Sequence, residues 1–226
     1  MTIYALSTGP GISGVAIIRV SGPETKIVIS KLTNGSFPEP RVATLKKINK
    51  INTNELIDEG LIRELGVSVY TPEEALFSLN IRKIKHLNIP FNLIDQRWFE
   101  SSFKKKLLSR PDVKIHARSI FLRGMLLNEG KYWPNWFKNR NKVVINIETL
   151  VKKLKRQNKV DLCLSYVKSF DWIDFIIVGV DSLNHLKEII RMNKNKKLKF
   201  KEAQLIENCF KDVAINSKKI LIPYLW

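Results

Sequence analysis

Residues 58–77, DEGLIRELGVSVYTPEEALF, change character near Ile62. Read with the three residues before it, the first part is ELIDEGLI, which suits the last strand of a small β-rich unit. The second part is different. LGVSVY is a continuous β-rich run, as expected of a strand buried on both faces. TPEEALFSLNIRKI then reads as a helix, with Thr71 as N-cap, Pro72 at the first helical position and Glu74 completing a capping box. A buried strand feeding a capped helix is the repeating unit of a parallel α/β sheet. The chain therefore divides here, into domains 1–62 and 63–226.

Downstream the same unit recurs. HLNIPFNLID is a second strand, SFKKKLLSR a helix, and DVKIHARSIFLRGMLL a third strand with a glycine-bearing loop. VVINIETLVKKLKRQ and VDLCLSYVKSF are amphipathic helices, IDFIIVGVDS is a fourth strand, and LNHLKEIIRMNK and KEAQLIENCFKDV are helices. Four βα units in about 160 residues are half of a (β/α)8 barrel. Upstream, TIYAL and GVAIIRVSG read as strands around the turn-rich loop STGPGISG, PETKIVISKL as a helix with Pro23 at its first helical position, and RVATLKKI and ELIDEGLI as further strands. The expected fold class is α/β, a partial (β/α)8 TIM barrel preceded by a small α+β fragment.

Composition excludes some functions and leaves others open. No run of 18 or more apolar residues is present, so no membrane helix is expected. The start, MTIYALSTGPGISG, lacks the basic segment and cleavage pattern of a signal peptide, and a cytoplasmic location is expected. Cys163 and Cys209 fall on expected helices and read as reduced thiols. Three histidines with no metal-ligand spacing point to no metal site. The formal charge is +18, and nearly all the excess lies beyond residue 62, where 32 Lys and Arg face 16 Asp and Glu. These lysines fall on helix faces and ends, without aromatic-interleaved RNA motifs, so they are read as solvated surface and nucleic acid is not an expected partner.

Two resemblances sharpen this reading. In the first segment ALSTGPGISGVAIIRVSGP, PRVATL and DEGL occur in the order seen in the N-terminal domain of the tRNA-modification GTPases of the MnmE/TrmE family. That resemblance implies binding of 5-formyltetrahydrofolate, with Arg19 holding the folate, although Ile12-Ser13 stand where the family loop carries Arg-Gly. The phosphate-binding G-x-x-x-x-G-K-[ST] loop of those GTPases does not occur.

In the second segment LGVSVYTPEEA, NIPFNLIDQRW, ARSIFLRGMLL and IDFIIVGVDSLNHLKEI resemble, in order, the fifth to eighth strands of aldo/keto reductases. This implies a binding side for NADP or NAD. Ser68 and Asn88 would meet the nicotinamide amide, Ser119, Leu122 and Gly124 the pyrophosphate, and Gly179 and His185 the adenosine end. The family's catalytic Tyr, Lys, Asp and His belong to the barrel half that has no counterpart here, so no catalytic residue is expected. Tyr70 belongs to the fifth-strand motif, not to the catalytic set. A fusion, by gene rearrangement or by assembly of environmental DNA, is the economical account of the junction. A half-barrel leaves strand edges open, so self-association through them is expected, unless the N-terminal strands cap one edge.

Overall fold

The computed structural model describes residues 3–6, 18–21, 23–32, 58–60, 63–216 and 218–221. The expected strand RVATLKKI and the STGPGISG loop lie outside these residues. Of ELIDEGLI, residues 58–60 form a turn with Gly60 at φ +70°, where a strand was expected.

The first segment contributes β1 (Ile3–Leu6), β2 (Ile18–Ser21) and α1 (Thr25–Leu32). The second contributes β3 (Leu65–Ser68), α2 (Pro72–Leu79), β4 (Ile84–Pro90), α3 (Ser101–Leu108), β5 (Lys114–Arg118), α4 (Arg140–Lys153), α5 (Lys159–Val167), β6 (Phe175–Ile176), α6 (Leu183–Asn193) and α7 (Phe200–Asn216). One sheet carries all six strands in the order β2-β1-β3-β4-β5-β6. Strands β3 to β6 are parallel, in chain order, as successive βα units require. The N-terminal pair extends this sheet: β1 lies parallel to β3, with Leu6 opposite Val67, and β2 closes that edge antiparallel to β1. The first segment thus caps one edge of the half-barrel.

The helix starts follow the chemistry of their sequences. Thr71 Oγ1 accepts from the Glu74 N–H at 3.3 Å, and Pro72 stands where no amide partner is needed. The Glu74 carboxylate reaches one residue past the expected box and accepts from the Tyr70 N–H at 2.6 Å. Asn158 caps α5 through the Asp161 N–H, and Ser182 caps α6 through the His185 N–H.

Burial departs from the sequence reading at the strands. Leu65, Gly66 and Val67 are only half-buried. In β4, Leu87 and Ile89 are buried while His86 and Asn88 are half-buried. Among the described residues, the side chains on the second face of these strands are thus less completely covered than those on the first. Strand β6 is also shorter than IDFIIVGVDS suggested, with two residues laddered to β5. Among the described residues no strand pairs with its outer side.

The core lies between sheet and helices. Phe91, just past β4, meets the rings of Phe99, Tyr166, Phe170 and Trp172 at centroid distances of 5.0–6.0 Å. Trp98 and Phe103 adjoin them. Of the tryptophans among the described residues, Trp98 and Trp133 are buried, Trp172 is partly buried and Trp136 is exposed. In the LIDQRW turn, the fully buried Asp95 takes a fork from Arg97, at 2.8 Å to Nε and 2.7 Å to the terminal nitrogen. Burial works to lower the Arg97 pKa, but the hydrogen bond and charge of Asp95 outweigh it and hold Arg97 above its usual range.

The Tyr166 hydroxyl is buried and has no hydrogen-bond partner among the described residues. Tyr166→Phe deletes that unmet group, so it is expected to raise stability by about 1 kcal/mol, read as a higher urea midpoint at unchanged slope. No helix among the described residues is long and apolar enough to cross a membrane.

Candidate functional site

Open parallel sheets place ligand sites beyond the carboxyl ends of their strands, where loops leave the sheet. After β5 the chain makes such a loop. Ser119, Leu122, Arg123 and Gly124 all have positive φ, at 57°, 47°, 53° and 82°. Three of these are not glycine, and left-handed backbone at such residues is costly enough to mark a shaped segment. Gly124 is the position where glycine relieves the strain. The loop is fixed from several sides. Leu122 N–H donates to Ser119 O at 2.8 Å, Asn128 Nδ2 to Gly124 O at 2.8 Å, and the buried Asn92 through Nδ2 to Ser119 O at 3.4 Å. Among the described residues, the N–H groups of Phe121 and Gly124 donate to no backbone carbonyl. Turned amides of this kind form anion-binding concavities.

The loop opens onto a cavity of about 680 Å³, within the ordinary range for a ligand pocket. Ser119, Phe121, Arg123 and Gly124 line one side, and Ile177, Gly179, Asp181, His185 and Glu188 the other. Four residues expected from the sequence, Ser119, Gly124, Gly179 and His185, thus share one cavity. Leu122 does not line it; its side chain is buried and only its backbone shapes the loop. A side chain at Gly179 would meet nothing within 4 Å, so the fold itself does not demand glycine there. The lining thus includes the cation of Arg123 and the imidazole of His185 as well as the carboxylates of Asp181 and Glu188. Asp181 Oδ2 lies 4.0 Å from His185 Nδ1, and Glu188 accepts from Asn158 Nδ2 at 2.8 Å.

Ser68 and Asn88 lie apart from the cavity wall and opposite each other in register on β3 and β4. Asn88 Oδ1 is buried and meets no donor among the described residues, an acceptor suited to a ligand amide. Arg118 does not turn toward the loop backbone as a phosphate contact would. Its guanidinium stacks over Tyr70 at 4.3 Å and donates to Val69 O at 3.1 Å and Ser119 Oγ at 3.4 Å. Arg19 sits on β2, at the opposite edge of the sheet from this cavity.

One cluster escaped the sequence reading. Glu64, His86 and His116 form a chain, with His86 Nε2 2.6 Å from Glu64 and His86 Nδ1 2.9 Å from His116 Nε2. Phe175 stacks on His116 at 4.7 Å. Only the β3-β4-β5-β6 order brings these together, and no spacing in the sequence signals it. Among the described residues, no three His, Cys, Asp or Glu side chains are grouped to hold a metal. Burial pushes the His116 pKa down, as does the neighbouring His86, while Asp174 pulls the other way. The neutral form is therefore favoured by folding. Its stabilisation is present above the ordinary histidine value of about 6.5 and is lost as pH falls through the lower folded value. The urea midpoint is expected to drop as pH is lowered below about 6.5, and to drop less steeply in His116→Gln.

The comparisons with known proteins match the two ends of the chain to two different families, in ranges that overlap between residues 46 and 76. The sequence profile of the aldo/keto reductase family matches residues 46–211, and that of the GTP-binding protein TrmE N-terminus matches residues 2–76. The tRNA modification GTPase MnmE of Pelagibacter ubique (strain HTCC1062) is 69% identical over 75 residues, covering 33% of this chain and 17% of that protein. MnmE of Rhizobium meliloti (strain 1021) is 48% identical over 77 residues, 34% of this chain and 16% of that protein. Among solved structures, the apo aldo-keto reductase AKR11C1 from Bacillus halodurans superposes with a TM-score of 0.56 at 23% identity, covering 69% of this chain and 54% of that one. Its holo form gives 0.56 at 22%, covering 69% and 53%. The chain spans about half of the solved reductase, and its N-terminal stretch less than a fifth of the GTPases. The four parallel strands are a partial (β/α)8 barrel, and the two matched regions are consistent with a chimera. The chain belongs to the aldo/keto reductase family, with an N-terminal stretch similar to MnmE.

Proposed function

We propose that residues 63–226 bind a nicotinamide dinucleotide without reducing carbonyls unaided. The observation that carries this reading is the single cavity shared by Ser119, Gly124, Gly179 and His185, opening under a strained loop. The Phe121 and Gly124 amides suit a pyrophosphate, and the unmet Asn88 Oδ1 suits a carboxamide N–H. Asp181 and Glu188 line the same cavity and repel a 2′-phosphate, so the ligand is NAD rather than NADP. When bound, the nicotinamide supplies hydride; the carbonyl carbon accepts it and its oxygen needs a proton. Tyr70, the phenol of the fifth-strand motif, lies under the Arg118 guanidinium and serves packing. By resemblance the proton-donating residues belong to the barrel half that has no counterpart here, so the developing alkoxide is left unstabilised, at a cost of several orders of magnitude in rate.

Titration by ligand fluorescence checks both parts. NADH is expected to bind about tenfold or more tightly than NADPH, and neither is expected to support aldehyde reduction. Silence with both nucleotides removes the binding reading; steady turnover removes the inactivity.

The 69% identity to MnmE over 75 residues favours a second reading, in which Arg19 and its neighbours hold 5-formyltetrahydrofolate. The same titration with that folate decides it, since the Arg19→Ala variant loses binding only if the N-terminal stretch is the site.

A further inference from the structure

The strand that leads into the cavity has the shortest ladder among the described strands. β6 pairs with β5 through two residues, whereas β4 is laddered on both sides, to β3 and to β5. Few further bonds hold β6. The Asp174 N–H donates to Ile115 O at 3.0 Å, the Asp174 carboxylate accepts from the Ile115 N–H at 2.8 Å, and the Ile177 N–H donates to Ala117 O at 2.8 Å. The Phe175 ring lies on His116, with centroids 4.7 Å and planes 24° apart. Two residues past Phe175 the cavity wall begins, with Ile177, Val178 and Gly179.

His116 stands between that strand and His86. His86 Nδ1 and His116 Nε2 are 2.9 Å apart, and a hydrogen bond between two nitrogens holds one proton, whichever ring donates it. At the far end the ionised Glu64 carboxylate accepts, so His86 Nε2 carries its hydrogen. The pair can take one proton beyond its neutral state with every contact kept, balanced by the Glu64 charge. A second proton sets two N–H groups head to head, so the pair titrates in two separated steps. Other charges near His116 divide. Asp174, at the entry to β6, favours the imidazolium; Lys114, bound to Asp174 at 3.0 Å, and Arg118, both on β5, oppose it.

We infer that the Glu64–His86–His116 chain is an acid-sensitive latch on the nucleotide cavity: the second proton parts the two rings, and β6 yields together with the wall that follows it. The ligand named here rests on the nucleotide reading of that cavity; the latch itself does not. β4 is paired on both sides and stays, so His116 is driven against Phe175 and the two-residue ladder behind it. Neutral His116 keeps the wall in place. The latch is therefore shut above the ordinary histidine value of about 6.5 and opens as pH falls through the lower value that folding imposes.

Amide hydrogen exchange on the ligand-free full chain tests the latch by itself. From about pH 7 to about pH 5 the protection factor of the Ile177 N–H should fall at least about tenfold. That of the Val69 N–H, which donates to Asn88 O between β3 and β4, should stay level. His116→Gln and His86→Gln should each remove the fall, because either leaves one titrating ring. Glu64→Gln, which deletes the balancing charge at a half-buried residue, should move the fall to lower pH. Protection at Ile177 that ignores pH, falls equally in the glutamine variants, or falls together with Val69 overturns the latch. Over the same range the NADH dissociation constant should rise at least about tenfold in the wild type and not rise in His116→Gln. His185→Gln should steepen the loss, since an imidazolium in the cavity attracts the dinucleotide. NADH affinity indifferent to pH overturns the coupling to the cavity. Silence with NADH at every pH removes the nucleotide reading instead, and the exchange result still decides the latch.

Discussion

Asp95→Ala is expected to destabilise the protein by about 3–5 kcal/mol. Asp95 is fully buried, takes two hydrogen bonds from the Arg97 side chain, and accepts from Trp98 Nε1 at 3.4 Å. The Arg97 side chain is itself only 12% exposed. Removing the carboxylate leaves a mostly buried guanidinium without its hydrogen-bonded partner, offset only in part by the charges of Glu73 and Glu74, and that poorly compensated charge dominates the cost. The paired change Asp95→Leu with Arg97→Met removes both charges and should recover most of the loss. Urea midpoints of the wild type, the single and the double variant check this. A double variant no better than the single would show that shape, not charge, is what Asp95 contributes. Against a domain stability of about 5–15 kcal/mol, the single variant sits near the folding limit.

Phe91→Ala should cost about 3–5 kcal/mol by a different route, the cavity left among four rings. Phe91 stacks parallel to Tyr166, at 5.8 Å and 4°, and meets Phe170 and Trp172 edge-on. Phe91→Leu keeps much of the volume and should cost about half as much or less. A second readout separates packing from site geometry. The Phe91 N–H donates to Arg118 O at 2.9 Å, one residue before the left-handed loop begins. Loosening Phe91 should therefore weaken nucleotide binding as well as stability, whereas Val143→Ala, on a helix that does not line the cavity, should affect stability alone.

Local chemistry made the second segment readable. Thr71, Pro72 and Glu74 announced α2, and LGVSVY and HLNIPFNLID announced β3 and β4, because capping and β-propensity act within a few residues. Two features were invisible for the opposite reason. The length of β6 depends on having a neighbour on both sides, and the described residues supply one. The Glu64–His86–His116 chain joins residues 22 and 30 positions apart, and only strand register aligns them. At the site, four of the positions indicated by resemblance, Ser119, Gly124, Gly179 and His185, line a single cavity. One departure came from side-chain direction: Leu122 turns into the core. The supporting asparagines Asn92 and Asn128, which hold the loop carbonyls, carry no signature a lone sequence could display.

The position of β1 sets the rules for any reconstitution of a full reductase from two pieces. By resemblance β3 is the fifth stave, and β1 lies alongside it in parallel, where a fourth stave would hydrogen-bond. A front half added in trans finds that berth taken and must win it by strand exchange, while the berth beside β6 stands vacant among the described residues. Assembly would begin at β6 and stall at β3, unless residues 1–21 were first cut away.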